Sequence, residues 1–150
     1  MLYTDLTKKA MRISYRQHNG QIDKSGLPYV FHPYHLAEQM GTDEYAICVA
    51  LLHDVVEDTD MTLEDLQAQG FPNEIISAVK CLTHEEHVPY LGEYIENIKA
   101  NPLAKKVKLA DLRHNSDLTR LPPAENQHEL RSREKRLQKY AAAIAFLESN

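Results

Sequence analysis

A chain of 150 residues with a formal net charge of −5 suits one compact domain and excludes a protein held to nucleic acid by bulk positive charge, while leaving room for a local basic pocket. The two cysteines, Cys48 and Cys81, form no Cys-x-x-Cys pair and lie in apolar stretches, which excludes a thiolate zinc site and reads them as small buried hydrophobes. There is no basic leader followed by an apolar run and no stretch apolar enough to span a bilayer, so a cytoplasmic protein without a membrane partner is expected.

Apolar side chains at Leu6, Ala10, Ile13 and Tyr15 predict a first helix from Leu6 to Tyr15. Asn19 to Pro28, with two glycines and a proline, reads as a structured loop. Pro33 fits the first turn of a helix that runs to Met40 and stops at Gly41. Asp43 is a good N-cap for a helix from Glu44 to about Val56, apolar almost all round and therefore central. Thr62 caps a helix ended by Gly70, and Pro72 begins one reaching Leu82. A polar loop from Thr83 to His87 precedes a helix from about Pro89 to Ala100. Pro102 starts the helix that carries Asp111. Leu121-Pro122-Pro123 breaks the chain before a last helix from about Glu129 to Leu147. Strand-like alternation is nearly absent. The expected architecture is all-α: about eight helices in one bundle-like domain spanning residues 1–150.

His53-Asp54 falls inside the apolar central segment, with Glu57 and Asp58 one turn on. Burying unpartnered charge costs several kcal/mol per group, and one cation is the simplest partner for an adjacent imidazole and carboxylate. His32 stands at a helix start from which it can face this segment. Asp111 occupies a second apolar helix, with Asn115 one turn further on the same face. A His, His, Asp, Asp set of nitrogen and oxygen donors favours manganese, iron or a similar six-coordinate divalent ion over structural zinc. Glu57 and Asp58 exceed what one metal needs, which points to catalysis on a bound water.

The segments His18 to Pro33, Leu51 to Thr59 and Val107 to Asn115 resemble, in that order, the hydrolase domain of RelA/SpoT-type alarmone enzymes within the HD-domain phosphohydrolase superfamily. The resemblance covers about Arg16 to Leu121, and its nearest counterparts are small stand-alone alarmone hydrolases. It implies a manganese-dependent hydrolase of the stringent response, removing the 3′-pyrophosphate of (p)ppGpp to give GDP or GTP. It assigns His32, His53, Asp54 and Asp111 to the metal and Glu57 and Asp58 to water activation. The resemblance also implies that Lys24, Ser25 and Asn115 stand near the nucleotide. The chain departs from that pattern at Asp23, where a basic residue is usual. A carboxylate there either repels the phosphates or faces the base.

Other features admit two readings each. His84 and His87 suit a second metal site or a solvated loop. His35 faces water or the rim of the site. His114 supports a ligand or merely packs. Lys108, in a basic cluster with Lys105, Lys106, Arg113 and Arg120, contacts phosphate or belongs to a solvated face. Arg131, Arg133, Lys135 and Arg136 read as surface charges paired with Glu129 and Glu134. Tyr140 is a possible nucleotide-stacking aromatic. Two alternatives to the alarmone hydrolase remain at this stage. One is a broader nucleotide phosphohydrolase acting on nucleoside monophosphates or the 2′-phosphate of NADPH. The other is a non-catalytic nucleotide-binding module.

Overall fold

The structure is a computed structural model that describes residues 1–150. It contains nine α-helical segments and no β-strand: α1 Asp5–Gln17, α2 Phe31–Glu38, α3 Glu44–Leu52, α4 Val55–Asp58, α5 Leu63–Ala68, α6 Asn73–Leu82, α7 Ile95–Lys99, α8 Pro102–Asn115 and α9 Gln127–Glu148. The caps are those that local chemistry favours. Thr4 and Thr62 form capping boxes with Thr7 and Asp65, while Asp43, Asn101 and Asn126 each accept a backbone N–H at the start of a helix. Asn126 thus has a structural role that sequence patterning did not reveal.

Helix α3 is the axis of the fold. Every residue from Ala46 to Leu52 is buried, and α1, α2, α6 and α8 pack around it. An all-round apolar helix has no solvent face to offer, so it can only be central. Leu51→Ala is expected to lower unfolding free energy by about 2–5 kcal/mol in denaturant melts, from lost burial plus the cavity left behind. A cost under about 1 kcal/mol would contradict the central placement.

Two expected elements are corrected. The helix predicted over Glu44–Val56 ends at Leu52, and His53 and Asp54 form a turn before α4. The His53 ring contributes to that end, because its Nδ1–H donates to the Ala50 carbonyl at 2.6 Å and takes up an acceptor at the helix terminus. The helix expected over Pro89–Ala100 is also interrupted. Residues Tyr90–Tyr94 form a kinked turn with non-helical backbone at Leu91 and Gly92, and only Ile95–Lys99 is regular α-helix.

The loop between α1 and α2 is tightly built. Ile22 pairs with Pro28, and Gly26 adopts φ +82°, a conformation that side-chain-bearing residues seldom take. Asp23 lies at its centre. One Asp23 carboxylate oxygen accepts from Ser25 N–H at 2.9 Å, Ser25 Oγ at 2.5 Å and Leu27 N–H at 3.1 Å. The other faces the Arg120 guanidinium at 3.4 Å, and the side chain is 8% exposed. Asp23 lines the polar cleft, but both of its carboxylate oxygens are already engaged by the protein. Its charge organises its own loop, where these donors and Arg120 overcome burial and hold the carboxyl below its usual range.

Candidate metal centre

Three elements converge where α2 begins, α3 ends and α8 passes between them. His32 comes from the first turn of α2, His53 and Asp54 from the turn after α3, and Asp111 from the buried face of α8. The His32 and His53 ring centroids are 5.3 Å apart. Ligand atoms of His32, His53 and Asp54 all lie within 4.8 Å of one another. Asp111 Oδ1 is 2.9 Å from His32 Nε2 and 3.7 Å from His53 Nε2. His32, His53 and Asp111 are at most 5% exposed.

The donor set fits a cation on an observation of its own. His53 Nδ1 carries the ring proton, since the Ala50 carbonyl can only accept. His53 Nε2 is then a lone pair, buried and without an aligned hydrogen-bond partner. It nevertheless sits 2.9 Å from Asp54 Oδ2 and 3.7 Å from Asp111 Oδ1. A lone pair facing two carboxylate oxygens in a buried site requires positive charge between them. In the absence of metal a proton supplies it. Burial opposes the charged imidazole, but Asp54 and Asp111 outweigh burial and raise His53 well above its ordinary pKa. Burial likewise opposes the Asp54 carboxylate, yet His53 draws it down to about 2. Atoms bound at about 2.1 Å from one ion, at right angles to each other, would be separated by about 3 Å, close to the 2.9 Å between His32 Nε2 and Asp111 and between His53 Nε2 and Asp54.

The surrounding shell holds the carboxylates. Tyr29 OH donates to Asp54. Lys108 Nζ donates to Asp111 Oδ2 at 2.9 Å, and Asn115 Nδ2 donates to Asp111 Oδ1 at 2.9 Å. Lys108 is therefore a buried counter-ion of Asp111 that also faces Tyr90 and Tyr94, rather than a free phosphate contact or a solvated charge. Three others of the expected basic cluster are paired elsewhere: Lys106 with Asp43, Arg113 with Glu148 and Arg120 with Asp23. Asn115 has its amide engaged with Asp111, although it lines the cleft above. Tyr29 was not singled out from the sequence, because nothing local shows that a loop tyrosine reaches a carboxylate on another element.

A cleft of about 490 Å³ covers this cluster. Glu57 and Asp58 line it, and with Asp54 they form a second close group of carboxylates. Glu57 Oε1 accepts the His84 backbone N–H at 2.5 Å, which ties the 83–88 loop to α4. Burial, then Asp54 and Glu57, push the Asp58 carboxyl up to about 6. Lys24, Arg136 and Lys139 reach the cleft from the other side, together with Tyr90 and Tyr140. None of the three cations has an acidic partner within ion-pair distance. Burial, then the other two cations, lower the Lys24 pKa. Arg136 is thus not the surface charge expected from the sequence. Its spacing from Lys139 and Tyr140, three and four residues along α9, puts all three on one helical face. Arg133 does pair with Glu129, at 2.9 Å.

The Ser25 hydroxyl, expected near the nucleotide, is bound to Asp23 within its loop, though Ser25 still lines the cleft. His84 Nε2–H donates to the Val88 carbonyl at 2.6 Å and its ring packs half-buried against Tyr90 and Tyr94, while exposed His87 pairs with Glu85, so the solvated-loop reading suits His87 and the two do not share a site. His35 stacks on His114 with centroids 4.1 Å apart. Cys48 is buried and Cys81 half-buried, both as free thiols. A larger, mostly apolar groove of about 860 Å³ beside α1 contains none of the four candidate ligands. The candidate ligands His32, Asp54 and Asp111 line the polar cleft instead.

Comparison with known proteins identifies the family. Residues 10–141 match the HD domain family. The chain is 35% identical over 111 residues to guanosine-3′,5′-bis(diphosphate) 3′-pyrophosphohydrolase MESH1 of Mus musculus, covering 67% of this chain and 62% of that one. It is 33% identical over 100 residues to a guanosine-3′,5′-bis(diphosphate) 3′-pyrophosphohydrolase of Aquifex aeolicus, covering 65% of this chain and 14% of that one. It is 32% identical over 134 residues to a probable GTP pyrophosphokinase of Mycobacterium leprae, covering 81% of this chain and 17% of that one. The chain thus spans only a small part of the longer relatives and under two thirds of MESH1. Among solved structures, one described as a metazoan ortholog of SpoT that hydrolyzes ppGpp and plays a role in starvation responses superposes with a TM-score of 0.80. That match has 27% identity and covers 99% of this chain and 89% of the other.

Proposed function

The chain belongs to the HD domain family, and from that premise we propose that it removes the 3′-pyrophosphate of (p)ppGpp, giving GDP or GTP and pyrophosphate. Residues 1–150 act as one HD-type unit, with His32, His53, Asp54 and Asp111 holding Mn²⁺. The observation that carries the reading is the buried, unpartnered His53 Nε2 facing two carboxylates beneath a cleft rimmed by unpaired cations. No helix is long and apolar enough to cross a membrane, and a nucleotide substrate suits a cytoplasmic enzyme of alarmone turnover.

A divalent ion held by these four residues would lower the pKa of a bound water and withdraw charge from phosphorus. The protein's own residues do the rest. Glu57 and Asp58 line the cleft beside Asp54, where a carboxylate can orient an attacking water and take its proton. Attack on the phosphorus attached to the ribose 3′-oxygen breaks that P–O bond. The water's oxygen stays on the phosphorus of the departing pyrophosphate, and the proton taken up by the carboxylate passes to the 3′-oxygen, which leaves as a hydroxyl. Lys24, Arg136 and Lys139 bind the remaining phosphates, since their mutual repulsion is relieved by an anion. Tyr90 and Tyr140 border the same space and offer ring faces to the base.

Incubation with Mn²⁺ and a panel of nucleotides tests this directly. Pyrophosphate release from ppGpp is expected. Inorganic phosphate from nucleoside monophosphates or NADPH, with ppGpp untouched, would overturn the substrate. Tight nucleotide binding without turnover would overturn the enzyme reading. Arg136→Ala and Lys139→Ala are each expected to raise KM for ppGpp by about tenfold while leaving kcat within about twofold, as uniform binding is lost. An unchanged KM in both variants would remove these side chains from the phosphate site.

A further inference from the structure

His114 lies on α8, three residues after Asp111, and its Nδ1 is 2.7 Å from His32 Nδ1. The two rings are within 9° of parallel, as an in-plane hydrogen bond between their edges requires. Only one proton fits between two nitrogens at that distance, so one ring donates and the other accepts. If His32 is to offer its Nε2 lone pair to a cation, its proton must lie on Nδ1. His114 Nδ1 must then be bare, with the His114 proton on Nε2.

The surroundings of His114 are built for that state. Arg120 donates through NH1 to the His114 carbonyl at 2.8 Å, which anchors the backbone that carries the ring. His35 covers the ring face, with centroids 4.1 Å apart and planes inclined by 21°. The ring is thereby held in plane with His32. His114 Nε2 has no acceptor in the protein and is not sealed from solvent, so a proton there can be hydrated.

We propose that His114 is a positioning residue that fixes the Nδ1–H tautomer of His32, and that His35 holds the His114 ring in place for this task. The inference rests on the metal-site reading above, and the experiment separates the two. Mn²⁺ affinity is measured by chelator competition for the parent, His114→Phe and His114→Gln. Phenylalanine keeps the stack with His35 but cannot accept a proton, whereas the glutamine amide oxygen can. His114→Phe is expected to lose about 10–100-fold in Mn²⁺ affinity, and His114→Gln to recover most of it. In parallel, ¹⁵N NMR of the Zn²⁺-loaded parent is expected to show the His114 proton on Nε2 and the His32 proton on Nδ1. Parent affinity retained in His114→Phe, or a proton on His114 Nδ1 in the loaded parent, overturns the inference. The NMR measurement decides even if the phenylalanine variant fails to fold. A parent that binds no Mn²⁺ at all defeats the metal site itself, not merely this role for His114.

Discussion

Asp54→Ala is expected to abolish both metal binding and hydrolysis. Asp54 Oδ2 is 2.9 Å from the buried lone pair of His53 and also accepts the Tyr29 hydroxyl. Removing the carboxylate strips one ligand atom from the set, leaves His53 without its closest negative partner and orphans the tyrosine. The loss of Mn²⁺ affinity should exceed the roughly 10–100-fold typical of disturbing a supporting residue. Asp54→Asn is the sharper test, because it preserves shape and an acceptor for Tyr29 while removing the charge. Calorimetric titration with Mn²⁺ is expected to show no saturable binding for either variant, while circular dichroism stays helical for Asp54→Asn. Parent-like Mn²⁺ affinity in Asp54→Asn would show that the ion, if any, sits elsewhere.

Glu57→Gln should behave in the opposite way, retaining the metal and losing the rate. Glu57 has two contacts that pull its interpretation apart. It lies beside Asp54 and Asp58 in the cleft, and its Oε1 accepts the His84 N–H. Were it only a tether for the 83–88 loop, glutamine would substitute well, since an amide oxygen also accepts. If it handles the proton of the attacking water, glutamine fails, and kcat for ppGpp falls by about 10²–10⁴ with Mn²⁺ affinity unchanged. Asp58→Asn, measured alongside, apportions the task between the two carboxylates. Its carboxyl is pushed up to about 6, first by burial and then by Asp54 and Glu57, which suits a group that takes up a proton near neutrality. Turnover by Glu57→Gln equal to that of the parent would return Glu57 to the role of a tether.

Much of the fold could be read along the chain because its determinants are local. Thr4, Asp43, Thr62 and Asn101 cap helices with side chains that reach only a few residues. The apolar run Ala46–Leu52 had to be central whatever packed around it. The same local reasoning failed at His53-Asp54. Helical propensity continues through those residues, and the break involves a side chain bonding back to the Ala50 carbonyl. The partner of Asp23 is a related case. An acidic residue in a phosphate-facing motif looks repulsive until Arg120, far along the chain, is found beside it.

By itself the sequence determined which residue types stand on which helix faces: an apolar axis, histidines and carboxylates set into apolar segments, and a loop punctuated by glycine and proline. Those are consequences of spacing and of the cost of leaving charge buried alone. Only the tertiary structure decided how the ionisable groups are shared out. It assigned Lys108 to Asp111, Tyr29 to Asp54, His114 to His32, and left Lys24, Arg136 and Lys139 without acids at the cleft. Pairing of this kind depends on distances of a few ångströms between segments remote in sequence, and electrostatic and hydrogen-bond energies fall away too steeply over such distances for spacing along a chain to foretell them.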